Sequence, residues 1–218
     1  MVHRRCTKQE PESEVLKHLF MSLNDLNQTS ERLSYQDNGC EIHRSSLTVS
    51  QLELLKGEVQ ALTTSPQPGL RNALEESALI HSVASSAFGH ADFPFQRILR
   101  CIIFDKSPTA NWKIGWHQDL NIKEKDGTCL PWSYLHPVRT LRLHLDPTPA
   151  ENGALRVLPG SHKDGPLNDA QRRSLAQTPL TLEANPGDVI LMTPLLVHSS
   201  SPSKNPKHRR VIHVDYLL

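Results

Sequence analysis

Short runs of β-type residues occupy the chain after Phe93, and turns rich in Pro, Gly, Asp and Asn separate them. Runs of this kind with regular turn signals are typical of an antiparallel sandwich or barrel. The predicted strands are Ile98–Phe104, Trp112–Trp116, Thr140–Leu145, Leu155–Leu158, Leu180–Leu182, Val189–Met192 and Val211–Tyr216.

The first part of the chain has a different pattern, in which apolar residues follow helical spacing. It predicts amphipathic helices over Glu12–Asp25, Gln51–Ala61 and Leu70–Ala87. Ser50 would cap the second helix, with Glu53 completing a capping box. The polar segment Asn24–Ser46 contains the turn signal Asp-Asn-Gly and predicts a loop.

Helices that precede a block of strands argue against alternating βαβ units. The pattern therefore predicts a mainly β protein with N-terminal helices, built as a double-sheet jelly roll. We expect a helical and loop region over residues 1–92, packed on the outside of a β core over residues 93–218.

Composition narrows the range of partners. The chain has 218 residues, 37% of them hydrophobic, and a formal net charge of +1, which suits one globular domain with no general field for nucleic acid or membrane. Its four cysteines form no Cys-x-x-Cys motif, and the N-terminus has no continuous apolar run. These features predict a cytoplasmic protein without a nucleic-acid or membrane partner.

His117 and Asp119 lie at the end of a predicted strand, two residues apart. Side chains at i and i+2 of an extended backbone point to one face, so an imidazole and a carboxylate would converge there. That is two thirds of the 2-His-1-carboxylate set that binds Fe(II) in non-haem oxygenases. Ligating imidazoles must be neutral, so metal affinity should fall below about pH 6.5.

The spacing alone is not specific, because the chain has five His-x-Asp pairs. The pair at His213 has no histidine after it, the pair at His162 lies in a tight turn, and no strand precedes His90. The pair His144 and Asp146 remains a competitor, since Arg142 and both of its members share one face of a predicted strand.

A third ligand and an anion anchor come from the end of the chain. His198 follows the buried strand Val189–Met192, and Arg209 opens the last predicted strand. A hairpin between these strands would bring Arg209 behind His198, where its guanidinium could bind a carboxylate through two parallel hydrogen bonds. Ser200 shares the His198 face and could add a hydroxyl donor. Periodicity does not decide between Arg209 and Arg210.

Four ordered motifs resemble the phytanoyl-CoA dioxygenase (PhyH) family of Fe(II)- and 2-oxoglutarate-dependent oxygenases, over about Asn72 to Tyr216. They are Trp116-His-Gln-Asp119, Glu151-Asn-Gly through Gly-Ser-His-Lys163, Gly187-Asp-Val through His198-Ser-Ser200, and Arg209. The resemblance implies a double-stranded β-helix whose metal ligands are His117, Asp119 and His198. It favours Arg209, helped by Ser200, as the 2-oxoglutarate anchor, and it implies that Lys106 touches the co-substrate.

The same resemblance implies the reaction. Fe(II), 2-oxoglutarate and O2, with ascorbate added in assays, would hydroxylate a C–H bond of a natural product, acyl-CoA or amino-acid-like solute, with release of succinate and CO2. Trp112, Trp116 and Arg142 are candidate walls of the substrate pocket, and each could equally be packing. The alternatives are a cupin-type metalloenzyme that uses no 2-oxoglutarate and a catalytically silent jelly-roll binding module.

Overall fold

A computed structural model of the chain describes residues 33–63, 69–71, 77–79, 97–124, 126–204 and 207–218. The predicted helix Glu12–Asp25 and the pair His90 and Asp92 lie outside these residues. Ser34–Leu218 form one compact unit. No helix in the described ranges has both the length and the apolar character needed to cross a bilayer.

Strands dominate the described residues. The α-helices in these ranges include α1 (Tyr35–Asn38), α2 (Val49–Leu62) and α3 (Asp169–Leu175). The strands are β1 (Cys40–His43), β2 (Leu70–Arg71), β3 (Arg97–Lys106), β4 (Ile114–His117), β5 (Val138–His144), β6 (Leu155–Val157), β7 (Leu180–Leu182), β8 (Val189–Met192), β9 (His198–Ser200) and β10 (Arg209–Leu217).

The strands form two antiparallel sheets. The larger sheet has the order β1-β8-β5-β10-β3-β2, and the smaller has the order β4-β9-β6-β7. Among the described strands, six of the eight neighbouring pairs join strands that are not consecutive along the chain, because the chain passes back and forth between the two sheets. The predicted mainly β jelly roll is therefore confirmed.

The main apolar core lies on one face of the larger sheet. Leu141 and Leu143 of β5 and Ile212 of β10 belong to one buried cluster with Leu55 and Val59 of helix α2. Side chains alternate between the faces of a strand, so the opposite face of β5 and β10 carries polar residues. That face is turned toward the smaller sheet, and the polar row predicted on β5 is thus internal.

Two elements before residue 93 differ from the predictions. The predicted loop Asn24–Ser46 contains helix α1 and strand β1, which pairs with β8 along Cys40–His43. The predicted helix Leu70–Ala87 begins as strand β2, and residues 72–76 and 80–87 are outside the described ranges. A short strand that gains its hydrogen bonds from a distant sheet edge has little local signal, so the pattern missed both strands.

The predicted helix Gln51–Ala61 is present, but its cap is different. Helix α2 begins at Val49, and its N-cap is Thr48, whose hydroxyl accepts a hydrogen bond from Gln51 N at 3.2 Å. The Gln51 side chain accepts in return from Thr48 N at 2.9 Å. Thr-x-x-Gln is as good a capping box as the predicted Ser-x-x-Glu, so sequence alone could not choose between the two registers.

The predicted hairpin between the His198 strand and the Arg209 strand is wrong. β9 pairs with β4 and β6 in the smaller sheet, whereas β10 pairs with β3 and β5 in the larger sheet. The connection crosses from one sheet to the other. His198 and Arg209 therefore face each other across the interior instead of lying side by side.

Candidate metal centre

His117, Asp119 and His198 meet at the mouth of the smaller sheet. His117 ends β4 and His198 begins β9, and the two are direct cross-strand partners. Their ring centroids are 4.1 Å apart. Asp119 follows β4, where its backbone N donates to Pro194 O at 2.9 Å. One ligand atom from each of the three residues lies within 4.8 Å of the other two.

Both imidazoles are oriented by backbone carbonyls. Nδ1 of His117 lies 2.8 Å from Gly115 O, and Nδ1 of His198 lies 2.9 Å from Leu196 O. A carbonyl can only accept, so each Nδ1 carries the proton and each Nε2 presents a lone pair. The two Nε2 atoms lie 3.6 Å and 3.8 Å from the carboxylate oxygens of Asp119. Ligating histidines in metalloproteins are oriented in the same way.

Electrostatics favour the ionisation states that bind a cation. Burial, then the neighbouring His117, lower the pKa of His198 to about 3, so its imidazole is neutral at physiological pH. The limit of about pH 6.5 expected for a free histidine thus does not apply to His198. Burial would raise the pKa of Asp119, but His198, His213 and Arg100 outweigh it and hold that pKa below its usual value.

The competing pair His144 and Asp146 is engaged elsewhere. His144 is fully buried and its Nδ1 bonds the hydroxyl of Thr148 at 3.0 Å. Asp146 accepts two hydrogen bonds from the Arg210 guanidinium and one from its backbone N, each at 2.8 Å. This engagement also turns Arg210 away from the interior. His162, in a 3-10 turn, contacts Gln36 O.

A cluster of buried cations lies opposite the three candidate ligands. Arg209 and Lys106 are cross-strand partners on β10 and β3, and each is at most 2% exposed. Arg209 Nη1 donates to Gly153 O at 3.0 Å, and Ser200 Oγ donates to the same carbonyl at 3.0 Å. Lys106 Nζ donates to Ser200 Oγ at 2.7 Å and to Ser201 O.

Among the described residues, no carboxylate is bonded to the charges of this cluster. Burial, then the positive charge of Arg142, lower the pKa of Arg209 to about 9. Burial, then Arg209 and Arg142, lower the pKa of Lys106 to about 7. Within the part of the chain that the structure describes, Nε of Arg209 and Nε of Arg142 are both buried without a hydrogen-bond partner. Buried cations that repel one another favour the binding of an anion.

The backbone conformation and close surroundings of residue 153 explain why the Glu-Asn-Gly motif has a glycine at this position. The φ of Gly153 is +68°, and a Cβ atom there would lie 2.5 Å from Ser201 O. We expect Gly153→Ala to cost about 2–3 kcal/mol of folding free energy, from the left-handed backbone and the clash, and to weaken anion binding at Arg209. Gly127→Ala is the matched control, because its φ is +87° but a Cβ would meet nothing within 4 Å.

Thermal unfolding of both alanine variants and of the wild type measures this difference. Gly127→Ala should lose only the backbone contribution, about 1–2 kcal/mol. Equal losses in the two variants would mean that close approach of the Gly153 backbone to Ser201 has no energetic consequence.

The described residues enclose a cavity of about 210 Å³ between the two sheets. Its walls include the three candidate ligands, Ser200, Arg209 and Arg142. Neither Trp112 nor Trp116 is among these walls. Trp116 packs against Leu158, Leu167 and Val197 with Arg156 over its ring at 5.1 Å, and Trp112 lies 5.6 Å from Lys106 Nζ.

This placement is at odds with the prediction that the tryptophans are pocket walls. Trp116 follows Gly115 and precedes His117 on β4, so alternation sends it to the outer face of the smaller sheet. Lys106 is also absent from the described walls and lies behind Ser200, to whose hydroxyl it donates a hydrogen bond.

Three residues near the site were not predicted. His213 Nε2 lies 3.9 Å and Arg100 Nη2 lies 3.7 Å from Asp119 Oδ2, and Asp215 is bonded to Arg100. Strand alternation could have found two of them, since His213 and Asp215 share the face of Arg209 on β10. Arg100 enters as the cross-strand partner of Asp215, and strand pairing cannot be read from local sequence.

The chain is similar to proteins of one known family and to several solved structures. A family model for phytanoyl-CoA dioxygenase (PhyH) matches residues 47–211. A search of curated protein sequences finds no match to the chain. Solved structures that are similar include the epimerase SnoN in complex with Fe3+, alpha ketoglutarate and nogalamycin RO. It is 16% identical, with 89% of this chain and 84% of SnoN covered and a TM-score of 0.69.

Two further structures have the same fold. The non-heme alpha ketoglutarate dependent carbocyclase SnoK, from nogalamycin biosynthesis, is 18% identical over 86% of this chain and 85% of its own, with a TM-score of 0.66. HygX from Streptomyces hygroscopicus, with nickel and 2-oxoglutarate bound, is 16% identical over 84% of each chain, with a TM-score of 0.65. The family match spans most of the sequence and agrees with the resemblance in its motifs: the chain belongs to the phytanoyl-CoA dioxygenase (PhyH) family.

Proposed function

We propose that this protein is a non-haem Fe(II)- and 2-oxoglutarate-dependent dioxygenase that hydroxylates a C–H bond of a small molecule. Membership of the PhyH family supports the class. The single observation that carries the proposal is the convergence of two preset Nε2 lone pairs and the Asp119 carboxylate on one point.

The three groups fit a divalent iron ion. Two neutral imidazoles and one carboxylate form the facial set that Fe(II) takes in non-haem oxygenases, with positions left open for other ligands. Neither imidazole needs to change its tautomer, and Asp119 needs no proton removed. SnoN was solved with Fe3+ and alpha ketoglutarate and HygX with 2-oxoglutarate, which supports the same pair of cofactors here.

Arg209 is proposed to hold the far carboxylate of 2-oxoglutarate. It lines the cavity that contains the three ligands, and no carboxylate is bonded to it among the described residues. Ser200 Oγ donates to Gly153 O, the same carbonyl that accepts from Arg209, and Lys106 Nζ donates to Ser200 Oγ behind it. A dicarboxylate between the metal and Arg209 would neutralise the repulsion among the positive charges of Arg209, Lys106 and Arg142.

When bound, iron and 2-oxoglutarate supply the O2 chemistry that couples loss of CO2 from the co-substrate to oxidation of the substrate. The chain itself contributes ligand orientation, anion binding and exclusion of water. The apolar part of the cavity wall, beside the charged groups, includes Ile102, Phe104 and Leu155. A small natural product, acyl-CoA or amino-acid-like solute is the proposed substrate class, with hydroxylation as its outcome because Asp119 fills a metal position that a halide would otherwise need.

Formation of succinate from 2-oxoglutarate tests this function. Purified protein with Fe(II), ascorbate and 2-oxoglutarate should release succinate slowly without substrate, and the release should require Fe(II). A protein that binds a metal but not 2-oxoglutarate would be a cupin-type metalloenzyme instead. One that binds neither would be a silent binding module.

Arg142 offers a separate test of the anion-binding cavity. It lines the cavity, 5% exposed, and no carboxylate of the described residues is bonded to it. Its guanidinium extends from β5 toward Phe104 on β3, 5.7 Å from the ring. We expect Arg142→Met to weaken 2-oxoglutarate binding about 10-fold, the loss of one charge-assisted hydrogen bond.

Calorimetry of 2-oxoglutarate binding to the Zn(II)-loaded protein checks the affinity, and thermal unfolding of the metal-free protein checks the fold. Relief from burying a charge that has no bonded carboxylate should offset the lost hydrogen bond to His213, so the metal-free variant should stay within about 1 kcal/mol of wild-type stability. Arg156→Met, on the outer face of the smaller sheet, is the control. A destabilised variant with normal 2-oxoglutarate affinity would assign Arg142 a purely structural role.

A further inference from the structure

His213 and Asp215, the last His-x-Asp pair of the chain, form a charged layer with Arg100 directly behind Asp119. Both residues of the pair face the smaller sheet from β10, and Arg100 on β3 is the cross-strand partner of Asp215. Asp215 is fully buried. Arg100 Nε donates to it, and Thr140 Oγ1 donates to its Oδ1 at 2.6 Å.

Arg100 lies close to two carboxylates but is hydrogen-bonded to one. Its Nε contacts Asp215 Oδ2, whereas its Nη2 stays 3.7 Å from Asp119 Oδ2, beyond hydrogen-bond distance. A guanidinium that is free to move binds a carboxylate through two parallel hydrogen bonds. Without its anchor, Arg100 would therefore close on Asp119 and occupy oxygens that a metal needs.

His213 is a third imidazole beside the centre, and its proton lies on the side that faces the carboxylates. Arg142 Nη1 lies 3.0 Å from His213 Nδ1. A guanidinium can only donate, so Nδ1 accepts and Nε2 carries the proton. Nε2 is 3.3 Å from Asp215 Oδ1 and 3.9 Å from Asp119 Oδ2. In this tautomer His213 cannot bind a metal, and among the described residues its Nε2 makes no hydrogen bond.

We propose that Asp215 is a positioning residue for the metal centre: it anchors Arg100 and so keeps the Asp119 carboxylate open to the metal. The hydroxyl of Thr140 holds Asp215 in place for this task. The inference rests on the proposed function, because it takes His117, Asp119 and His198 as the metal ligands.

Binding of Co(II) to the full-length protein, without 2-oxoglutarate, tests the proposal by visible absorption and calorimetry. Asp215→Asn should weaken Co(II) binding about 10- to 100-fold, the usual effect of losing a residue that supports a ligand. Arg100→Met should bind Co(II) as tightly as wild type or more tightly, because it removes the competing cation. The double variant should return to within about threefold of wild type, since the two changes act on one contact.

Asp146→Asn is the matched control. Asp146 is also a buried carboxylate bound by an arginine, Arg210, and it lies away from the three ligands. Its Co(II) affinity should stay within about twofold of wild type, as expected for independent sites. Thermal unfolding of each variant establishes that it is folded.

The outcomes separate this inference from the proposed function. Wild-type protein that binds no Co(II) would defeat both. If the wild type binds and Asp215→Asn binds equally well, the inference alone fails. It also fails if the double variant binds as weakly as Asp215→Asn. Should Asp215→Asn not fold, Arg100→Met decides: affinity equal to or above wild type supports the proposal, and about a tenfold loss, the size expected for a supporting residue, overturns it.

Discussion

Replacing His117 by alanine will abolish metal binding, while the same change at His144 will leave it intact. His117 provides one of only two imidazoles in the proposed set, and its Nε2 faces the Asp119 carboxylate at 3.6 Å. Losing a ligand should reduce affinity beyond the roughly 10- to 100-fold that a lost supporting contact costs. Metal content after purification and Co(II) titration measure the effect.

His144→Ala is a demanding control because His144 also belongs to a His-x-Asp pair on a strand. It is fully buried and bonded to Thr148, so its truncation leaves a cavity and removes one of the two hydrogen bonds at the Thr148 hydroxyl, which keeps its bond to Asp146 O. We expect a loss of about 2–4 kcal/mol in folding free energy with normal Co(II) affinity. Normal metal binding in His117→Ala together with loss in His144→Ala would reverse the ligand assignment.

Replacing Arg209 by alanine will weaken 2-oxoglutarate binding far more than replacing Arg210. Arg209 is 2% exposed, lines the cavity and is bonded to a backbone carbonyl instead of a carboxylate. Truncating one partner of a buried charged pair costs about 2–5 kcal/mol, so the dissociation constant should rise about 30-fold or more. Calorimetry with the Zn(II)-loaded protein avoids turnover during the measurement.

Arg210 is the adjacent residue with the same charge, and it makes a different set of contacts. It forms a two-point pair with Asp146, so Arg210→Ala should lower thermal stability and change 2-oxoglutarate affinity by less than about threefold, as expected for a residue outside the cavity. A larger effect on 2-oxoglutarate from Arg210→Ala than from Arg209→Ala would place the co-substrate on the other face of β10.

The fold class and the ligand pattern could be predicted because they depend on local signals. Period-two runs between turn residues located β5, β6, β7 and β8 to within a few residues. His117 and Asp119 were separated from the other pairs by the motifs downstream of them. The strands β1 and β2 could not be predicted, because each is short and is specified by pairing with a distant partner.

The interior of the site was harder to predict for a physical reason. On β5 and β10 the apolar face packs under helix α2, and the polar face lines the cavity, which inverts the usual assignment of polar residues to solvent. The row of Arg142 and His213 is built by cross-strand register. That register depends on pairing between distant parts of the chain, so the local sequence does not specify it.

We propose that one site binds Fe(II) and 2-oxoglutarate together. Anaerobic titration of 2-oxoglutarate into the Fe(II)-loaded protein tests it most directly, because a 2-oxo acid that chelates Fe(II) gives a visible metal-to-ligand charge-transfer band. We expect the band to appear in the wild type, to need a much higher 2-oxoglutarate concentration in Arg209→Ala, and to be missing in His198→Ala. A wild-type protein that binds iron yet shows no band at saturating 2-oxoglutarate would contradict the account.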